Sequence, residues 1–85
     1  MGEHRIYFRG SVERDFRGIP GEDVQRLLDR IKALAAEPRP PGCDKLTGSQ
    51  RYRIRQGRYR VVYSVQDGEM SILIVKVGHR KDVYR

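Results

Sequence analysis

The 85-residue chain has one cysteine, Cys43, so it holds no internal disulfide, and without a CxxC pair or second thiol it lacks zinc-site spacing. Cys43 reads as structurally incidental. No hydrophobic run is long enough to cross a bilayer and no signal-peptide pattern opens the sequence, which makes the cytoplasm the expected compartment. Internal repeats and low-complexity segments are absent as well. There is length for one modest core and not for two, which argues against a multi-step enzyme with its own cofactor fold. The expectation is a single domain over residues 1–85 that uses neither cofactor nor metal.

The most informative shortage is of acid. Residues 1–44 carry eight Lys or Arg against eight Asp or Glu, whereas residues 45–85 carry ten against three, so the whole net charge of +7 lies in the second half. No acidic residue occurs between Lys45 and Gln66. A concentrated positive field attracts polyanions, of which nucleic acid is the commonest. The competing reading is a solubilising face.

The pattern along the chain indicates an α+β domain in the order β-α-α-β-β-β, a small antiparallel sheet with two helices packed on one face. His4 to Arg9 reads as a first strand. Ser11 is placed to cap a short helix running to Arg17, with Val12 and Phe16 on one side, before the Gly18-Ile19-Pro20-Gly21 break. From Glu22 the apolar positions Val24, Leu27, Leu28, Ile31, Leu34 and Ala35 follow helical spacing, with Glu22 and Asp23 suiting the N-terminal end and Pro38-Arg39-Pro40-Pro41-Gly42 ending the helix. The period then becomes two. Tyr52 and Ile54 alternate with Arg51, Arg53 and Arg55; Tyr59, Val61, Tyr63 and Val65 alternate with Arg58, Arg60, Val62 and Ser64; Ser71 to Val77 is a more uniformly apolar third run.

Gln56-Gly57 and Asp67-Gly68 read as two-residue hairpin turns. The first places Arg55 opposite Arg58, Arg53 opposite Arg60 and Arg51 opposite Val62; the second places Arg60 opposite Val75 and Arg58 opposite Val77. Like charges directly opposed about 5 Å apart destabilise a sheet, so an external anion is expected to compensate them. Gly78-His79-Arg80 should emerge beside this cluster. The other face presents Tyr52, Ile54, Tyr59, Val61, Tyr63, Val65, Ile72 and Ile74 to the helices. Arginine suits phosphate because its planar fork donates several hydrogen bonds and keeps its charge, and converging forks can stabilise charge that builds during displacement. A passive strip of phosphate contacts is the alternative.

The run Lys45-Leu46-Thr47-Gly48, then Tyr52-Arg53-Ile54-Arg55, Tyr59-Arg60-Val61-Val62-Tyr63, and Val77-Gly78-His79-Arg80-Lys81-Asp82-Val83-Tyr84 resembles the RelE toxins of type II toxin–antitoxin systems across nearly the whole chain. That resemblance implies a ribosome-dependent, metal-independent endoribonuclease that cuts messenger RNA in the A site by turning the 2′-hydroxyl on the adjacent phosphate. It also implies an antitoxin protein as partner, beside ribosome and mRNA. By motif position Arg53 and Arg55 match paired basic residues, Arg60 a phosphate-holding arginine, Arg80 a leaving-group arginine and Tyr84 a substrate-stacking aromatic, with Lys45, Arg51, Arg58 and Lys81 as flanking RNA-binding cations. Familiar members of the family have lysines where this chain has Arg53 and Arg55. Arginine does not surrender its proton, so catalysis rests on electrostatics and positioning, or the proton passes through His79, an imidazole being suited to acid–base work. His4 lies outside any motif. Two other functions stay open: a ParE-like inhibitor of DNA gyrase on the same fold, and an RNA-binding relative without turnover.

Overall fold

The computed structural model describes residues 2–46, 48 and 50–79. Strand β1 (Arg5–Phe8) leads into helices α1 (Gly10–Arg17) and α2 (Gly21–Ala33), followed by strands β2 (Asp44–Lys45), β3 (Arg51–Gln56), β4 (Tyr59–Gln66) and β5 (Ser71–His79). The helices carry the chain from one sheet edge to the other, and the meander then steps back until β5 lies beside β1, giving the order β1-β5-β4-β3-β2.

This is the α+β arrangement the pattern indicated, with both helices on one face. Two features were not visible in the pattern. β1 pairs parallel to β5, making the five-stranded sheet mixed, and the edge strand β2 is only two residues long, too short for any periodicity to register. Ser11 does not cap α1: the helix begins at Gly10 after Arg9 in extended backbone, and Ser11 falls inside its first turn.

The core is a single cluster. Val12, Leu27, Ile31 and Leu34 of the helix layer meet Ile54, Val61, Tyr63, Val65, Ile72, Ile74 and Val77 of the sheet, with Ile6, Phe16, Tyr52 and Tyr59 packed around them. A 13-residue helix such as α2 is marginal alone in water. Burying side chains of this size contributes roughly 1.5–3 kcal/mol each, so packing rather than propensity holds α2 on the sheet.

Both hairpins close differently from the sequence expectation, and the differences set the geometry of the basic face. The β3–β4 turn is Gly57-Arg58, with Gln56 and Tyr59 the last pair; Gly57 has φ +60°, the left-handed conformation a two-residue turn needs at its first central position. Arg55 therefore lies opposite Arg60, Arg53 opposite Val62 and Arg51 opposite Ser64. This slide of two residues keeps every side chain on its expected face but leaves one directly opposed arginine pair instead of two. The β4–β5 connection is a 3₁₀ turn at Asp67–Glu69 followed by Met70 in the left-handed region (φ 50°, ψ 47°), not a two-residue turn. A bulge follows: Tyr63 pairs with Ile74 but Val62 pairs with Lys76, so Val75 is the extra residue. One extra residue exchanges the two faces of the strand beyond it. Val77 consequently joins the core, Arg60 lies opposite Gly78, and Tyr59 lies opposite His79.

A polar latch ties the loop after α2 to this end of the sheet. Arg39 donates from Nη2 and Nη1 to the Asp67 carboxylate at 2.9 and 3.3 Å and from Nε to the Tyr52 hydroxyl at 2.9 Å, and its guanidinium lies 5.0 Å from the Tyr52 ring centroid. His4 Nε2 stands 3.3 Å from Asp67 Oδ1, so His4 is part of this latch. The hydrogen bonds from Arg39, more than that with His4, hold the Asp67 carboxyl below the usual carboxylate range. A depressed folded-state pKa means that the latch's contribution to stability is complete above about pH 4 and is lost as acid titrates the folded carboxylate. The thermal midpoint should accordingly fall as pH is lowered below about 4, and Asp67→Asn should lose part of that acid sensitivity. An acid slope identical in the two proteins would show that the latch contributes nothing.

Candidate nucleic-acid interface

Opposite the helices, β3 and β4 present Arg51, Arg53, Arg55 and Arg60. Alternation puts these four on one face, because Tyr52, Ile54, Val61 and Tyr63 between them point into the core. Arg60 retains only 9% of its surface exposed, and the Arg53 side chain 14%, whereas Arg55 at 59% reaches into solvent. Arg60 Nη1 donates to the Tyr59 carbonyl at 3.4 Å. Holding a guanidinium this deep beside a second one across the strand pair is costly unless anionic groups meet it.

One such group belongs to the chain itself, contrary to the expectation that the basic stretch has no acidic neighbour. Asp44, the residue just before the acid-free stretch, is brought opposite Arg53 by the β2–β3 pairing. Arg53 Nη2 donates to Asp44 Oδ2 at 2.7 Å, and Arg55 Nη2 stands 3.8 Å from the same oxygen. The hydrogen bond from Arg53 and then the fields of Arg53, Arg55 and Arg60 hold the Asp44 carboxyl below its usual range despite some desolvation. Among the described residues, three guanidinium groups share the field of this one carboxylate. Sequence reading missed Asp44 because only strand pairing makes it a neighbour; its position directly beside Lys45 was the available signal.

The remaining predicted residues are distributed as follows. Arg51 is exposed on the same face, and Arg58 is exposed at the β3–β4 turn. Lys45 alternates away from Asp44 and lines a cleft with Arg39, Tyr52 and Asp67 on the helix side, apart from the arginines. His79 is also separated from them. The bulge at Val75 turns it to the helix side, where its ring meets Tyr59 edge-on at 6.1 Å and 82°. Gly78, not His79, is the β5 residue beside Arg60. Arg80, Lys81 and Tyr84 lie outside the described residues.

A small mixed sheet backed by two helices carries a partly buried arginine cluster on the face away from them, a charge pattern that suits a polyanion. The family model for the ParE toxin of the type II toxin–antitoxin system parDE matches residues 6–84. Toxin RelG of Mycobacterium tuberculosis is 27% identical over 86 residues, covering 96% of this chain and 97% of that protein. The RelE1 protein of Methanocaldococcus jannaschii is 30% identical over 78 residues, 87% of each chain. Among solved structures, the archaeal RelE–RelB complex from Pyrococcus horikoshii superposes with a TM-score of 0.83 at 30% identity, covering 94% of this chain and 98% of that one. The chain belongs to the RelE and ParE toxin family of type II toxin–antitoxin systems, as the resemblance in its motifs implied.

Proposed function

We propose that this toxin is a metal-independent endoribonuclease that cuts messenger RNA in the ribosomal A site. The observation that carries the reading is the placement of Arg53, Arg55 and Arg60 on the sheet face opposite the helices, where Arg53 and Arg55 meet one carboxylate oxygen and Arg60 adds its field. In the reaction the RNA 2′-oxygen forms a bond to the adjacent phosphorus and the bond from phosphorus to the 5′-oxygen breaks, leaving a 2′,3′-cyclic phosphate and a 5′-hydroxyl. The 2′-hydroxyl gives up its proton and the departing 5′-oxygen gains one. Arginine remains charged, so the chain's part is to hold the phosphate and stabilise the charge that accumulates on its oxygens. Arg80 and Tyr84 are assigned the leaving-group and stacking roles by motif, with Arg51, Arg58 and Lys81 contributing to the surrounding positive field.

A cognate antitoxin completes the proposal, supported by the RelE–RelB complex that the fold resembles; its acidic or helical segment covers or distorts the arginine face. Translating ribosomes place the activity in the cytoplasm. The ParE description of the matching family model favours a second reading, gyrase inhibition. Purified protein incubated with translating ribosomes, and separately with gyrase and DNA, distinguishes them. Cuts in A-site message support the first, gyrase-dependent DNA breaks the second, and salt-sensitive RNA binding without cuts a module that has lost turnover.

The edge-on packing of His79 against Tyr59, on the other side of the sheet from Arg60, favours electrostatic catalysis over proton transfer through the imidazole. His79→Ala should change the cleavage rate by no more than about threefold and leave its pH profile in place, because a general acid or base must reach the reacting atoms. A loss of a hundredfold together with a vanished neutral-range pH dependence would instead make His79 the proton carrier.

A further inference from the structure

The arginine face carries its own anion. A single oxygen of Asp44, Oδ2, meets Nη2 of Arg53 at 2.7 Å and lies 3.8 Å from Nη2 of Arg55, and the carboxylate also feels Arg60. An oxygen held between guanidinium forks is where a phosphate oxygen docks in such a cluster. We infer that Asp44 is a displaceable internal counter-ion, which occupies the phosphate position of the Arg53–Arg55–Arg60 cluster in the free toxin and must be pushed aside when an RNA phosphate binds. This rests on reading that face as the phosphate site.

Three features support displacement rather than a fixed scaffold role. Asp44 sits in a two-residue strand at the sheet edge, and 44% of its side chain is exposed, so the carboxylate can swing into water at little cost. Arg53 and Arg60 are held far more tightly, at 14% and 9% exposure, and stay in place to receive the ligand. A phosphodiester also carries the same single charge with more oxygens, so it can accept from more donors at once than a carboxylate does. Asp44 thus compensates the opposed arginines in the free protein and lowers its affinity for stray RNA.

The test compares Asp44→Asn, Asp44→Glu and the charge-matched control Glu22→Gln, an exposed residue of the first turn of α2. The probe is a short 2′-O-methyl RNA, which cannot be cut, measured by fluorescence anisotropy at low salt. Asp44→Asn should bind about five- to tenfold tighter than wild type, Asp44→Glu should stay near wild type, and Glu22→Gln should shift by less than about twofold. Affinity in Asp44→Asn equal to or below that of the control overturns the inference. The second measurement needs no variant: the carboxyl-carbon NMR titration of Asp44 in wild type should return toward the usual carboxylate range when the RNA is saturating. A carboxyl that stays depressed with RNA bound overturns displacement. Ribosomal cleavage is followed in parallel; its absence in wild type, with tighter RNA binding by Asp44→Asn, would refute the nuclease reading while leaving the counter-ion in place.

Discussion

Arg60→Lys should yield a folded protein that cleaves ribosome-bound message a hundredfold or more slowly than wild type, a loss of about 3 kcal/mol in transition-state stabilisation. Lysine keeps the charge but replaces a rigid planar fork with a compact ammonium, so the variant isolates geometry from net charge. The effect should be largest here because Arg60 is, among the described residues, the most buried cation on the face, at 9% exposure, where donors act at low local dielectric and cost no reorganisation as charge develops. That burial makes alanine a less clean test. Removing a buried cation also changes packing and leaves the field on Asp44 weaker. Circular dichroism and a thermal midpoint close to wild type, with cleavage assayed on translating ribosomes, complete the measurement. Undiminished cleavage by Arg60→Lys would remove the fork from the mechanism.

Tyr63→Ala should cost about 3–5 kcal/mol of folding stability, and so leave little of the 5–15 kcal/mol typical of a small domain. Tyr63 is fully buried at the centre of β4, stacks on Tyr52 with ring centroids 5.9 Å apart, and donates its hydroxyl to the Pro38 carbonyl at 2.6 Å. Burial is the chief reason its phenol is pushed well above the usual tyrosine range, so it stays protonated and able to donate. The ring fills the core while the hydroxyl anchors the loop that follows α2. Tyr63→Phe separates these contributions: it keeps the ring, drops the hydrogen bond and should cost about 1 kcal/mol. Urea denaturation of both variants provides the comparison. Similar losses in the two would mean that the hydroxyl, not the ring, anchors this part of the fold.

Much of the fold was legible in the sequence because hydrophobic period reports which face is buried. The stripe Leu27, Ile31 and Leu34 and the alternation Ile54, Val61, Tyr63 and Val65 all reached the core, and they left the arginines between them on the opposite face. Period says nothing of partners. The parallel pairing of β1 with β5 joins residues such as Ile6 and Ile72, which no local pattern relates, and β2 is too short to have a period. Arg39 offered no more sign of its role: a lone arginine in a proline-rich loop became the centre of a latch only when folding brought Asp67 and Tyr52 to it.

By itself the sequence determined the class of fold, the sign and concentration of charge, and the sheet face that bears Arg51, Arg53, Arg55 and Arg60, since side-chain alternation survives a register slide of two residues. The tertiary structure decided what those arginines meet. Edge pairing set Asp44 against Arg53 and Arg55, turn geometry opposed Arg55 to Arg60, and the single extra residue at Val75 carried His79 to the far side of the sheet. Pairing and bulges are relations between distant segments, fixed by how the whole core packs, and a chain read residue by residue does not contain them.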